Sequence, residues 1–183
     1  MINFDGKKKR IIYTYGVYDL MHPGHIRFFQ KCKRVGDILI VGIVSDKEVQ
    51  TVKDPKKPIM QESWRFELVK NVKCVDYVIN QKTYDPSENL LAMNKLGLKV
   101  DILAKGDDMY QIKGVDTIES LGGKFLPIPY EKSENFSTSE LIRKILDLHT
   151  EVIRIPDRDG KGPRTQSPRP SIRMGGRKKG NCK

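Results

Sequence analysis

The sequence predicts an α/β fold: one domain on a Rossmann-like, doubly wound parallel sheet of five strands. Three observations predict it. The β-branched runs RIIYTY (10–15) and ILIVGIV (38–44) are continuous rather than alternating, as in strands buried on both faces. Helix-like stretches separate such runs, and that alternation implies parallel pairing with right-handed crossovers. A length of 183 residues allows one domain with a sizeable core and little room for a second.

Taken in order, the first strand is expected over Arg10–Tyr15 and a helix over Gly24–Val35. A second strand follows at Ile38–Val44, then a helix at Gln61–Asn71. Shorter strands are expected at Val75–Ile79, Val100–Ala104 and Lys124–Ile128, alternating with helices at Pro86–Leu96 and Val115–Leu121. Thr138–Leu148 reads as a closing helix that Ser137 or Thr138 would cap. The folded domain is expected to occupy residues 1–150. Residues 151–183 are rich in Pro, Gly, Ser and Arg and poor in large apolar side chains. Such a tail buries too little surface to offset its ordering entropy and is expected to be disordered.

The net charge of +11 is distributed unevenly: the segment from Arg154 carries ten Lys or Arg and two Asp, hence eight of those charges. The body is therefore only mildly basic, and composition alone does not make it a nucleic-acid binder. The tail's cations could contact nucleic acid in a salt-dependent way or anionic membranes. No apolar run approaches the ~20 residues of a membrane helix, and the start, MINFDGKKKR, does not lead into a signal-peptide core. A cytoplasmic location is expected. Cys32, Cys74 and Cys182 are scattered and odd in number, which fits neither a disulfide framework nor a zinc pattern.

The informative stretch is YGVYDLMHPGHIRFF, residues 15–29. It follows the first strand, where open α/β sheets place their ligands. Gly16 permits a tight turn off the strand, and Pro23 and Gly24 suit a helix entry whose free N–H groups attract anions. His22 and His25 then flank a site prepared for phosphate, where they could stabilise charge during phosphoryl chemistry. Two satisfied histidines in a plain turn is the bland alternative. Zinc lacks a third ligand at sensible spacing, so no metal ligands are assigned.

The same string resembles the first signature of the cytidylyltransferase-like nucleotidyltransferases, in which a G-x-[FY]-D turn precedes H-x-G-H. The resemblance extends over most of 11–145. VKDPKKPIMQESWRFELV is similar to the family segment in which a lysine precedes a helix bearing an arginine, which places Lys53 and Arg65, with Lys56 and Lys57 as substitutes for Lys53. DILAKGDDM resembles the signature ending in GDD, with Gly106, Asp107 and Asp108. FSTSELIRKI resembles the last one, with Ser137, Thr138 and Ser139 opening a helix. Each segment also has a plain reading, as a solvated loop, a turn or a helix cap.

The resemblance implies transfer of a nucleotidyl group from an NTP to a small phosphorylated acceptor, releasing pyrophosphate. It implies catalysis by His22, His25 and Lys53. Gly16, Val17, Tyr18, Asp19, Gly24, Arg65 and the residues of the two later signatures would bind the nucleotide. Asp19 is expected to orient the turn rather than hold metal, and Mg2+ would enter on the nucleotide phosphates. The GDD turn favours CTP with glycerol 3-phosphate, phosphocholine or phosphoethanolamine, and this is the first reading. However, the arginine usual before S-T-[ST] is absent; Lys132 is the nearest cation, and Asn135-Phe136 replaces G-[IV]. Lys105 and the HPGH spelling lean towards the ATP-using branch that acts on sugar phosphates such as heptose 1-phosphate. A homodimer is implied by the resemblance alone. A non-catalytic nucleotide- or nucleic-acid-binding module working through the tail is the alternative of another class.

Overall fold

The computed structural model describes residues 9–53, 55–107, 112–129 and 137–153, the last four as backbone only. Two compact units divide the chain, 1–142 and 143–183. Asp108, Lys132, Asn135, Phe136 and the whole of 154–183 lie outside the described residues.

The first unit contains five parallel strands: β1 (Ile11–Gly16), β2 (Ile38–Val44), β3 (Tyr77–Gln81), β4 (Ile102–Gly106) and β5 (Lys124–Ile128). Their order in the sheet is β3-β2-β1-β4-β5. The helices are α1 (Pro23–Arg34), α2 (Asp46–Val52), α3 (Glu62–Lys70), α4 (Ser87–Lys95), α5 (Val115–Ser120) and α6 (Thr138–Ile153). The expected doubly wound α/β architecture is thus observed. Among the described residues no helix is long and apolar enough to cross a membrane.

Both faces of the sheet are covered, and alternation along a strand decides which residue serves which face. Ile11, Tyr13 and Tyr15 of β1 join Leu90, Met93 and Ile118 in one core; Ile12 joins Phe29, Cys32 and Val69 in the other. This explains the unbroken apolar runs. The first half of the chain winds outward from β1 through β2 to β3, and the second restarts beside β1 with β4. Loops leaving β1 and β4 therefore diverge and open a crevice between them.

Most element boundaries shift by one or more residues from the sequence expectation, and three differences have an identifiable cause. Strand β3 starts two residues late because Val75 closes a turn through its amide to Val72 O, at 2.9 Å. Asp76 is likewise occupied, its carboxylate taking the Leu39 amide at 2.6 Å and Lys33 at 2.5 Å. Strand β4 starts late because Asp101 Oδ2 accepts the Ile11 amide at 2.9 Å. Helix α2 was not expected at all. It is a seven-residue polar segment started by Ser45, whose hydroxyl accepts the Glu48 amide at 3.3 Å. In the second unit the described part of α6 carries an Arg143–Asp147 pair at 3.0 Å.

Candidate functional site

The turn after β1 is tight and strained. Tyr18 and Leu20 both have left-handed backbones, with φ of 54° and 43°, a conformation that side chains other than glycine adopt only when surroundings impose it. Here the surroundings are a wedge. The Tyr18 ring is buried, 4.9 Å from Phe29 and edge-on to His25 at 5.5 Å. It lies so close over Gly16 that a Cβ there would stand 2.9 Å from the ring. Gly16 is thus required by a close approach rather than by its own torsions.

The turn delivers His22 to the N-cap of α1. His22 Nδ1 accepts the Gly24 amide at 3.2 Å, and His25 Nδ1 accepts the His22 amide at 3.4 Å, a reciprocal capping box. The two rings stack with centroids 4.0 Å apart. Because each Nδ1 accepts a hydrogen bond, each neutral ring carries its proton on Nε2. Burial lowers the His22 pKa. For His25, burial first and His22 second lower it to about 4, against an opposing pull from Asp19. At neutral pH the pair therefore offers two uncharged Nε2–H donors.

Both histidines line an open cleft of about 430 Å³ at the carboxyl ends of β1 and β4. Its walls include Gly16, Val17, Tyr18, Asp19, His22, Gly24 and His25 from the first signature, and Lys53 from the end of α2. Gly106 and Ser137, Thr138 and Ser139 of the later signatures line it too. The Thr138 hydroxyl donates to Asp19 O at 3.0 Å, joining the last signature to the first, while the Ser137 hydroxyl accepts the Glu140 amide at 3.1 Å.

Cations line the same space. Lys53 Nζ stands 5.6 Å from the centre of the Tyr84 ring. Burial, and then the charge of Lys57, lowers its pKa. Lys57 also lines the cleft, so it joins Lys53 rather than replacing it; Lys56 is not among the lining residues. Lys105 is 7 % exposed, donating to Tyr15 O at 2.8 Å with its ammonium 4.0 Å from the Tyr15 ring centre. Histidines that remain neutral between lysines suit a polyanion: the lysines supply charge and the imidazoles directed hydrogen bonds.

Two expected contacts are placed elsewhere. Arg65 does not reach the cleft. It is 0 % exposed, and its guanidinium donates to Val17 O at 2.6 Å, Val44 O at 2.9 Å, Met60 O at 3.0 Å and Asp46 at 2.5 Å. An arginine so committed is not among the cleft's lining residues and holds together the segments that bound it. Asp107 is exposed beyond β4, with its amide donating to Ile128 O at 3.2 Å, and is not among the lining residues. Asp19 behaves as an orienting residue: its oxygens accept the amides of Leu20, Ile59 and Met60 at 3.0, 2.8 and 2.9 Å. Lys105 and Tyr84 are additions to the expected set. Lys105 had a sequence signal in its AKG context, whereas Tyr84 had none, since it joins the site only through its approach to Lys53.

Comparison with known proteins agrees with this fold. The family described as cytidylyltransferase-like matches residues 13–144. The bifunctional protein HldE of Trichlorobacter lovleyi is 37 % identical over 148 residues, covering 79 % of this chain and 28 % of that protein. HldE of Helicobacter pylori strain P12 is 39 % identical over 146 residues, covering 79 % and 29 %. The chain thus spans less than a third of the length of these relatives. Among solved structures, the lipopolysaccharide core biosynthesis protein of Thermoplasma volcanium superposes with a TM-score of 0.53 at 26 % identity, covering 69 % of this chain and 100 % of that one.

Proposed function

Since the chain belongs to the cytidylyltransferase-like family of nucleotidyltransferases, we propose that it transfers AMP from ATP to a sugar phosphate of the heptose 1-phosphate kind. This sets the adenylyl reading ahead of the CTP reading that the GDD turn favours. Three things support the order: the run of HldE relatives at 34–40 % identity, the AKG context of Lys105, and the missing arginine before Ser137. The likeness to a lipopolysaccharide core biosynthesis protein supports a sugar acceptor.

The observation that carries the reaction class is the histidine pair in its capping box beside Lys53 and Lys57. In the proposed reaction an oxygen of the acceptor phosphate attacks the α-phosphorus of ATP. The bond from that phosphorus to the α–β bridging oxygen breaks, and pyrophosphate leaves. No protein nucleophile is needed, since the acceptor is already an anion. Catalysis is then placement and charge stabilisation. His22 and His25 donate from Nε2 to phosphate oxygens as charge builds, and Lys53 and Lys57 neutralise the phosphates. The hydroxyls of Ser137 and Ser139 hold the triphosphate, while Thr138 ties their helix start to the first turn through Asp19 O. Mg2+ carried by the triphosphate would supply further neutralisation; with Asp19 committed to three amides, the phosphates themselves fit as its ligands.

The test is pyrophosphate release with Mg2+, pairing ATP and CTP with heptose 1-phosphate, glycerol 3-phosphate and phosphocholine. Release is expected with ATP and the sugar phosphate, absent when either is omitted, and lost in folded His22→Ala and His25→Ala proteins. Release with CTP instead would restore the other order, and turnover unimpaired in both histidine variants would defeat the mechanism.

A further inference from the structure

Two of the cleft's lysines, Lys53 and Lys57, stand between α2 and α3, where the described residues 53 and 55–60 form neither helix nor strand. Burial, and after it the like charge of Lys57, disfavours the charged form of Lys53 there. Three side chains fasten the segment to the histidine turn. Asp19 takes its amides at Ile59 and Met60. Arg65 takes the Met60 carbonyl with Nε and the Val17 carbonyl with a terminal nitrogen. Asp46 holds that guanidinium through Oδ1, and its Oδ2 accepts the Glu62 amide at 2.9 Å. Glu62 returns the bond to the Asp46 amide at 3.2 Å. The starts of α2 and α3 are thereby locked together, with the lysine segment strung between them.

We propose that Asp46 is a positioning residue of the transfer reaction, acting through Arg65 to set where Lys53 and Lys57 stand relative to His22 and His25. The proposal rests on the transferase reading above. Its physical basis is the choice of partners. An arginine that only anchored α3 would have no need to reach the ends of β1 and β2. Arg65 bonds one carbonyl from each of three segments, Val17, Val44 and Met60. Val17 leads into the histidine turn, Val44 into α2 and Lys53, and Met60 closes the lysine segment. Asp46 fixes the guanidinium that gathers them. The pair is buried only on the arginine's side, the Asp46 side chain being 31 % exposed; such a pair adds little net stability over apolar packing, and conformational specificity is one reason to retain it. A displacement of about 1 Å in a group that positions substrate can cost about 10²-fold in rate.

The test is a cycle on Asp46→Asn, which keeps the side chain's shape but leaves one oxygen where two now accept. Pyrophosphate release is measured for the unmodified protein, for Asp46→Asn, for Lys53→Ala/Lys57→Ala, and for the three changes combined. Asp46→Asn is expected to lower kcat/KM about tenfold, and to have no further effect once the lysines are gone. A merely structural role would lower the rate by the same factor in both backgrounds, and that result overturns the proposal. So do unaltered kinetics in folded Asp46→Asn, or unaltered kinetics on removing both lysines. Should Asp46→Asn fail to fold, Glu62→Gln weakens the same junction without touching the guanidinium and is judged by the same outcomes. Absence of release from the unmodified protein with every substrate pair is a different result: it defeats the transferase reading, and the proposal falls with it.

Discussion

His25 makes the stability of this protein depend on pH with a predictable sign. Its pKa is lowered to about 4 in the folded protein, chiefly by burial and then by His22, whereas the unfolded chain titrates near about 6.5. Between those values the unfolded state binds the proton and the folded state does not. Stability therefore rises with pH in that window. The contribution is complete above about pH 6.5 and is lost as the pH falls towards 4. Integrated from pH 7 to pH 5, the loss is about 2 kcal/mol. The perturbation is His25→Asn, whose Oδ1 can replace Nδ1 as acceptor for the His22 amide while removing the titration. Urea unfolding of both proteins at pH 7 and pH 5 isolates the term: the unmodified protein should lose about 2 kcal/mol more than the variant over that interval. Equal losses, within about 0.5 kcal/mol, would refute the neutral buried imidazole. They would also refute the assignment of an uncharged Nε2–H donor to the cleft.

Two further predictions concern the supports of the site. Arg65→Met leaves three carbonyls and the Asp46 carboxylate without their donor, and should cost at least about 3 kcal/mol with an unchanged urea m-value; a free protein of unaltered stability would mean that the guanidinium serves a ligand instead. Gly16→Ala drives a Cβ into the Tyr18 ring and should cost about 1–3 kcal/mol. It should also slow pyrophosphate release by disturbing the ring that packs edge-on against His25, so a variant with normal stability and normal turnover would remove the wedge from the account.

What the sequence by itself determined is what contiguous residues encode. The apolar runs that became β1 and β2 need only their own composition to declare burial on both faces. The turn, the prolyl-glycyl helix entry and the paired histidines of 15–29 specify an anion-ready helix start within fifteen residues. Ser137-Thr138-Ser139 was similarly legible, because capping is a local interaction. Other features depended on partners far along the chain. Arg65 is named by its helix and spacing, yet its partners Val17 and Val44 lie 48 and 21 positions away, so nothing near it reveals that its donors are already committed. The two-residue delay of β3 has the same origin, since Asp76 is claimed by the amide of Leu39, 37 positions earlier. Tyr84 and Lys105 entered the site because the crossovers brought the ends of β3 and β4 to the cleft. Tertiary structure alone decided whether a charged side chain faced the ligand or held up the floor beneath it, because a buried donor must be satisfied by whichever acceptors the fold delivers.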